Sequence, residues 1–166
     1  FKYYKNKQEL FIAVVDKFWF STQNPRNKFT ETNGTFAEFI DEYVRGVQRT
    51  MDMLGDLIGA EREKVAQGKF TYHAQYFHFL FQLLQYDPDA KEKLRNLVEV
   101  DYAYWRAAIQ RAIATGELRE DVDVEDAVVM FRQVYMGLSF EMAFMGGLNT
   151  QRLAKHLHAV YSLLKR

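Results

Sequence analysis

Apolar residues recur along this chain at spacings of three and four, which place them on one face of a helix. The first stripe lies within residues 7–21 and comprises Leu10, Phe11, Val14, Val15 and Phe18. Similar stripes, separated by polar interruptions, predict further helices over about 35–58, 60–67, 71–86, 87–115, 123–146 and 150–165. We therefore predict an all-α fold, a helical bundle of about seven helices without strands.

Residues that favour helix ends stand at most of these boundaries. Asn6 is followed three residues later by Glu9, and Thr35 by Glu38, which is the spacing of a capping box. The Asn6 side chain is expected to accept the N–H of Glu9, whose carboxylate reaches back to the N-cap amide. The other boundary signals are Asp87 with Pro88, Gly116, Asp123 with Asp126, Gly146 with Gly147, and Asn149 or Thr150.

The segment "TYHAQYFHFLFQLLQY" (71–86) is apolar almost all round. In a globular protein such a helix is usually enclosed by others, so we expect it to be central. Its aromatic residues, with those of neighbouring helices, are either ordinary core or the lining of a pocket for a flat apolar ligand. The pocket candidates are Trp19, Tyr76, Phe77, Phe79, Tyr102, Trp105, Phe131 and Tyr135.

Two acidic residues, Asp101 and Glu141, occupy positions within apolar stripes. Because an isolated buried carboxylate is very costly, each must be paired, hydrogen-bonded or exposed. One interpretation is a structural ion pair with Arg106, Arg111 or Arg132, or exposure at the edge of a stripe. The other is a polar anchor in an otherwise apolar ligand pocket.

Composition narrows the class of protein. The 166 residues suffice for one domain with a substantial core, and 22 basic residues balance 22 acidic ones. Zero net charge argues against a nucleic-acid-binding surface on the body of the protein. The chain has no cysteine and no apolar run long enough to cross a bilayer. We expect a cytoplasmic protein that does not associate with membranes.

The sequence contains no recognisable enzyme motif. His73 and His78 are five residues apart and His156 and His158 are two apart, so neither pair has the spacing of a helical zinc site. Gly-rich phosphate loops and nucleophile elbows are absent as well. We predict no enzymatic activity, metal or cofactor, and the two stripe acids leave a small helical enzyme as an alternative.

The last two predicted helices have features of a helix–helix interface. Gly137 lies in mid-helix, where glycine costs roughly 1 kcal/mol relative to alanine, and a close approach by another helix would explain it. Leu153, Leu157, Val160 and Leu164 follow a 4-3-4 spacing suited to helix packing. Packing within the chain would explain both features. We favour a homodimer with these five residues at its interface.

Two segments resemble the TetR family of transcriptional regulators. The opening "FKYYKNKQELF" is similar to the sequence that joins the recognition helix of these regulators to the first helix of their ligand-binding body. The segment "ATGELREDVDVEDAVVMFRQVYMGL" (114–138) is similar to one that is common in their ligand-binding domains. The order and lengths of the predicted helices match as well.

The resemblance implies two parts. Residues 1–6 are the remnant of a helix-turn-helix DNA-binding domain, and residues 7–166 are the ligand-binding and dimerisation domain. Within that domain the helix 7–21 links the pocket to the DNA-binding domain, and the helices of 123–165 form the dimer interface. The positions that match DNA-phosphate contacts or supports of the recognition helix are Tyr3, Tyr4 and Lys7.

The function implied by the resemblance is that of a homodimeric transcriptional regulator. A small apolar or aromatic effector binds the helical body and controls binding of operator DNA by the helix-turn-helix domain missing from these residues. The alternative is a stand-alone helical small-molecule-binding or scaffold protein without DNA function.

Overall fold

The computed structural model describes residues 3–29, 34–57 and 72–166. Helix α1 begins as Lys7–Val14, continues through a π-helical turn at Val15–Trp19 and ends with Phe20–Thr22. The other helices are α2 (Phe36–Leu57), α3 (Tyr72–Tyr86), α4 (Ala90–Ala114), α5 (Val124–Ala143) and α6 (Thr150–Leu164). These ranges contain no β-strand, so the all-α prediction is confirmed. The predicted helix at 60–67 lies outside the described residues.

The first helix is capped much as its sequence predicts. Asn6 Oδ1 accepts the N–H of Glu9 at 2.8 Å, while the Glu9 carboxylate accepts the N–H of Lys5 rather than that of Asn6. The π-helical turn, in contrast, was not predicted. Such turns are uncommon and are frequently found at functional sites.

The start of α2 is held to two other parts of the bundle. Thr35 and Glu38 form the predicted capping box, with reciprocal hydrogen bonds of 2.7 and 3.2 Å. The Glu117 carboxylate also accepts the first two N–H groups of α2, at 2.8 and 3.3 Å, and the Tyr161 hydroxyl, at 2.9 Å. An anion at a helix N-terminus is stabilising, so Glu117 fixes α2 against the α4–α5 connection and α6.

The remaining caps agree with the sequence except at α4. Asp123 and Asn149 cap α5 and α6 through their side chains, as predicted. Helix α4 begins two residues after Pro88 rather than at it, because the Asp87 side chain accepts the N–H of Asp89 at 2.9 Å and forms a turn first.

Buried apolar residues form two clusters, which we call the main core and the minor core. The main core joins α2, α4, α5 and α6 around Trp105, whose ring is fully buried and stacks on Phe131 at 5.0 Å. Phe29 enters it from the α1–α2 connection and stacks on Tyr104 at 4.5 Å. The minor core lies between α1, α3 and the start of α4, and its buried residues are Val15, Trp19, Leu83 and Ala90.

The prediction that α3 is surrounded is wrong for the single chain. One face of α3 packs on α1, α2, α4 and α5. The opposite face leaves Phe81, Leu84 and Tyr86 exposed, with Phe81 62% accessible. A sequence that is apolar all round therefore does not show which of its faces the protomer covers.

Candidate functional site

A buried ion pair joins α4 to α5. Arg132 Nε lies 2.6 Å from Asp101 Oδ2, and the two side chains are 12% and 3% exposed. Of the three arginines considered as partners of Asp101, Arg132 is the one found. Because removal of either charge would leave the other buried and uncompensated, this pair is a fixed feature of the interior.

Three tyrosines lie around this ion pair: Tyr43 from α2, Tyr76 from α3 and Tyr135 from α5. Burial, reinforced by the Asp101 carboxylate, raises the pKa of Tyr43 well above its ordinary value. Burial and then the neighbouring Tyr135 raise the pKa of Tyr76. Both phenols are therefore protonated at neutral pH and can donate hydrogen bonds. We call these five residues the polar cluster.

The ring of Tyr135 is flanked by two cations. Arg132 Cζ lies 5.3 Å from the ring centroid and Lys28 Nζ lies 5.0 Å from it. Lys28 comes from the α1–α2 connection and is only 6% exposed. None of the ion pairs formed among the described residues involves Lys28.

Lys28 is placed by a close approach between two stretches of backbone. A Cβ atom at Gly46 of α2 would lie 2.1 Å from the carbonyl oxygen of Lys28 and 2.5 Å from its Cα, which only glycine permits. The Asn27 side chain also donates to the carbonyl oxygen of Thr22 at 3.0 Å. The connection is therefore tied to both α1 and α2.

Several buried polar atoms here have no hydrogen-bond partner within the described part of the chain. They include Tyr43 Oη, Asp101 Oδ1, Arg132 Nη1 and Ser139 Oγ. Proteins satisfy nearly all buried polar groups, so a concentration of unpaired ones marks a place suited to water or a ligand.

A cavity of about 30 Å³ lies beside the polar cluster, between the α1–α2 connection, α2, α3 and α5. Its lining consists of Gln23, Val47, Thr50, Met51, Tyr76, Phe77, Tyr135, Met136 and Ser139. This volume suits about two water molecules. Sites for small molecules usually measure about 300–1,000 Å³, so a larger ligand requires lining side chains to move.

Aromatic stacking connects the cavity to α1. The Trp19 ring, in the π-helical turn, stacks on Tyr76 at 5.8 Å and lies 5.9 Å from Phe79. Nearer the start of α1, Phe11 packs on Phe79 at 5.5 Å. A displacement of Tyr76 would therefore act directly on α1.

A lysine also clamps the π-helical turn to α4. Lys93 Nζ donates to Asp16 at 2.7 Å and to Asp87 at 2.9 Å. Burial opposes ionisation of Asp87, but the hydrogen bonds from Lys93 and from the N–H of Asp89 outweigh it and hold the pKa of Asp87 below its ordinary value.

The structure separates the predicted pocket residues into several groups. Of the candidates, Tyr76, Phe77 and Tyr135 line the cavity. Asp101 belongs to the polar cluster, Trp19 and Phe79 to the minor core, and Tyr102, Trp105 and Phe131 to the main core. Glu141 is exposed.

The sequence patterns did not identify three residues of this site, which are Lys28, Gly46 and Ser139. Lys28 and its neighbours have no periodicity that reveals burial. Gly46, inside a strong helical stripe, was an available signal, because a glycine there often marks a close backbone approach.

The residues predicted to contact DNA or a second subunit are placed as follows. Tyr3, Tyr4 and Lys7 are exposed, and Lys7 borders an open groove of about 440 Å³ with Gln8, Phe11, Gln82 and Tyr86. Leu153 and Leu157 are fully buried in the main core, and Val160 and Leu164 pack against it. This seam is thus engaged inside the protomer. Gly137 is exposed, with no atom within 4 Å of the position of a Cβ.

Within residues 3–29, 34–57 and 72–166, no three His, Asp or Glu side chains are grouped as metal ligands would be. None of the helices in those ranges combines the length and apolar character that a bilayer crossing needs.

A model of the family described as "Tetracyclin repressor-like, C-terminal domain" matches residues 47–157, well over half of the chain. Comparisons with curated proteins and with solved structures gave no match. The matched range includes Asp101, Arg132 and Tyr135, whereas α1 and Lys28 precede it.

Proposed function

Because this chain belongs to the family of tetracyclin repressor-like C-terminal domains, we propose that it is the effector-binding and dimerisation body of a transcriptional regulator. The predicted membership of the TetR family is thereby confirmed. In this proposal a small, largely apolar effector enters the cavity beside Tyr135. Its binding controls the affinity for operator DNA of a helix-turn-helix domain N-terminal to Phe1.

The observation that carries the proposal is the stack of Trp19 on Tyr76. Tyr76 lines the cavity, and Trp19 lies in the π-helical turn of α1, the helix nearest the proposed DNA-binding domain. An effector larger than the present cavity has to displace lining side chains. Displacement of Tyr76 then moves Trp19, and with it the N-terminal half of α1.

Thermodynamics limits how far the effector can change the affinity for DNA. An effector can shift the equilibrium between two poses of α1 only by its difference in affinity for them. Typical coupling energies of about 1–3 kcal/mol correspond to changes of about 5- to 150-fold in DNA affinity.

We further propose a homodimer through the exposed faces of α5 and α6. Gly137 leaves open space for a neighbouring helix. Phe140 and Phe144 of α5 and Leu163 of α6 are also exposed. A homodimer places two DNA-binding domains on successive major grooves, about 34–36 Å apart, where a small movement of α1 alters the fit.

The test uses the full-length regulator and a DNA site selected by it from random sequence. Fluorescence anisotropy measures DNA affinity with and without a compound found by thermal-shift screening of small aromatic molecules. We expect at least a fivefold change for the wild type. In Trp19→Leu the compound should still bind, but its effect on DNA affinity should shrink. Phe18→Leu, an exposed neighbour in the same turn, is the matched control. A bound compound that leaves wild-type DNA affinity unchanged would contradict the proposal.

A further inference from the structure

Ser139 of α5 carries a buried hydroxyl group that has no hydrogen-bond partner in the described part of the chain. The residue is 3% exposed and lines the cavity beside the polar cluster. A serine inside a helix usually faces solvent or donates to the carbonyl oxygen four residues earlier. Ser139 does neither, so a free hydrogen-bond donor lies in the wall of the cavity.

Other hydroxyl groups in the described helices do form that bond. Thr22, Thr50 and Ser162 donate to the carbonyl oxygens four residues earlier, at 2.8, 3.0 and 2.9 Å. Thr50 is the most informative comparison with Ser139, since it is 5% exposed and lines the same cavity. The free hydroxyl of Ser139 is therefore not a general property of these helices. Because an unpaired buried polar group costs free energy, Ser139 is suited to an acceptor that enters the cavity.

The residues described around the cavity include several polar groups but no formal charge. The polar groups belong to Gln23, Thr50, Tyr76, Tyr135 and Ser139. Burial raises the pKa of Tyr76, so this phenol is neutral. Lys28, whose Nζ lies over the ring of Tyr135, is not among the lining residues. A charged ligand would lose hydration without meeting an opposite charge in this lining, which is costly, so the lining favours a neutral ligand.

The apolar part of the lining is able to adapt to a larger molecule. It consists of Val47, Met51, Phe77 and Met136. Methionine is unbranched and has several rotatable bonds, so Met51 and Met136 can change conformation at low cost. The present volume of about 30 Å³ can therefore grow around an apolar body while Ser139 remains fixed in α5.

Resting on the function proposed above, we propose that the effector is a neutral, largely apolar molecule with a hydrogen-bond acceptor, such as a carbonyl oxygen, to which Ser139 donates. An acceptor is required because the proton of Ser139 is the group without a partner. Ser139 then distinguishes the effector from a hydrocarbon of the same shape, since a site built to form a hydrogen bond rejects a molecule that cannot form it.

The first experiment needs no ligand and compares the two buried hydroxyl groups. Thr50→Val should lower Tm by about 2 °C or more, because the bond to the Gly46 carbonyl oxygen is lost. Ser139→Ala should leave Tm within about 1 °C of the wild type or raise it, since no bond is lost and alanine favours helix. A decrease in Ser139→Ala as large as that in Thr50→Val would show that Ser139 is already bonded within the protein and would overturn the inference.

The second experiment compares ligands that share a shape and differ in one group, using equilibrium dialysis of the 166-residue protein. One set is 2-acetylnaphthalene, 2-isopropenylnaphthalene and naphthalene-2-carboxylate, and the smaller set is acetophenone, α-methylstyrene and benzoate. Each set presents a ketone, a hydrocarbon and a carboxylate. We expect at least one ketone to bind at least as tightly as its hydrocarbon, and at least about tenfold more tightly than its carboxylate.

The variants then assign that preference to Ser139. In Ser139→Ala the affinity of the ketone relative to the hydrocarbon should fall by about three- to tenfold, the value of one hydrogen bond. Ser162→Ala, an exposed helical serine, is the matched control and should keep the wild-type ratio. The inference is wrong if no ketone of the panel binds, if a carboxylate binds more tightly than its ketone, or if Ser139→Ala keeps the ratio.

The full-length regulator separates this inference from the proposed function. A ketone that binds through Ser139 without changing DNA affinity would refute the function and leave the hydrogen-bonding site standing. A hydrocarbon that changes DNA affinity as much as its ketone, equally in the wild type and in Ser139→Ala, would refute the role of Ser139 and leave the function standing.

Discussion

The main core and the minor core are both built around a tryptophan, but they differ in how completely they are enclosed. Trp105 of α4 is fully buried and packs on aromatic rings from both α2 and α5. Trp19 of α1 belongs to the smaller minor core between α1, α3 and the start of α4, and the face of α3 that carries Phe81 is exposed. The π-helical turn supplies Val15 and Trp19 to the minor core, and Lys93 clamps that turn to α4.

This difference in enclosure leads us to expect different free energies of local opening for the two regions. A large, enclosed core resists local opening, whereas a small one held by a few rings and hydrogen bonds opens at lower free energy. We therefore treat the main core as the frame of the domain and expect α1 and α3 to be the part that moves. The cavity lies at their border, where Tyr76 and Tyr135 meet it from the two sides.

We expect the largest loss of stability when one of the two tryptophans is replaced, and the two replacements should differ. Trp105→Ala should destabilise the whole domain by about 3–5 kcal/mol, because its fully buried ring leaves a cavity among rigid neighbours. Trp19→Ala should cost less and act locally, since α1 can separate while the main core stays folded. Urea unfolding gives the global values, and hydrogen exchange shows where protection is lost. Equal losses of protection throughout the domain in both variants would remove the distinction.

The next effect concerns the ion pair within the frame. Asp101→Leu and Arg132→Met should each cost about 3–5 kcal/mol, because each leaves one charge buried without its partner. The double variant should be more stable than either single one, since both charges are gone. Chemical denaturation of the three variants measures this coupling, and purely additive losses would contradict a buried pair.

The sequence predicted the frame better than the site. Helical stripes and capping residues follow from local chemistry, so α2, α5 and α6 and the caps at Asn6, Thr35, Asp123 and Asn149 were found correctly. The burial of Lys28 and the partner of Asp101 depend on contacts between distant segments, which local patterns do not encode. The π-helical turn and the open face of α3 depend on tertiary packing in the same way.

Smaller changes in stability are expected when the two helical glycines, Gly46 and Gly137, are replaced by alanine. Gly46→Ala should cost about 1–3 kcal/mol, because the new Cβ would meet the backbone of Lys28 and force the α1–α2 connection away from α2. Gly137→Ala should stabilise the isolated protomer by up to about 1 kcal/mol, since open space surrounds it and alanine favours helix.

The Gly137→Ala substitution also tests the proposed dimer. Analytical ultracentrifugation should show that Gly137→Ala weakens self-association, because the added methyl group keeps a partner helix at a distance. Self-association that is unaffected by this substitution would place the interface elsewhere.

The smallest expected effect is the pH dependence of the Lys93 clamp. Burial raises the pKa of Asp87, but the hydrogen bonds from Lys93 and from the N–H of Asp89 outweigh burial and hold that pKa below its ordinary value of 3.8. A carboxyl whose pKa is lower in the folded state stabilises that state above its unfolded pKa, and the stabilisation is lost as pH falls through the folded value. The minor core should therefore loosen in acid before the frame does.

The two tryptophans allow each region to be followed separately in an acid titration. Trp105→Phe leaves Trp19 as the fluorescent reporter of the minor core, and Trp19→Phe leaves Trp105 as the reporter of the frame. We expect the Trp19 signal to change at the higher pH, and Asp87→Asn to reduce the acid-dependent part of that change. Coincident transitions in both single-tryptophan proteins would mean that the clamp opens only when the frame unfolds. The minor core and the frame would then be one cooperative unit, and α1 would have no independent motion with which to carry a signal.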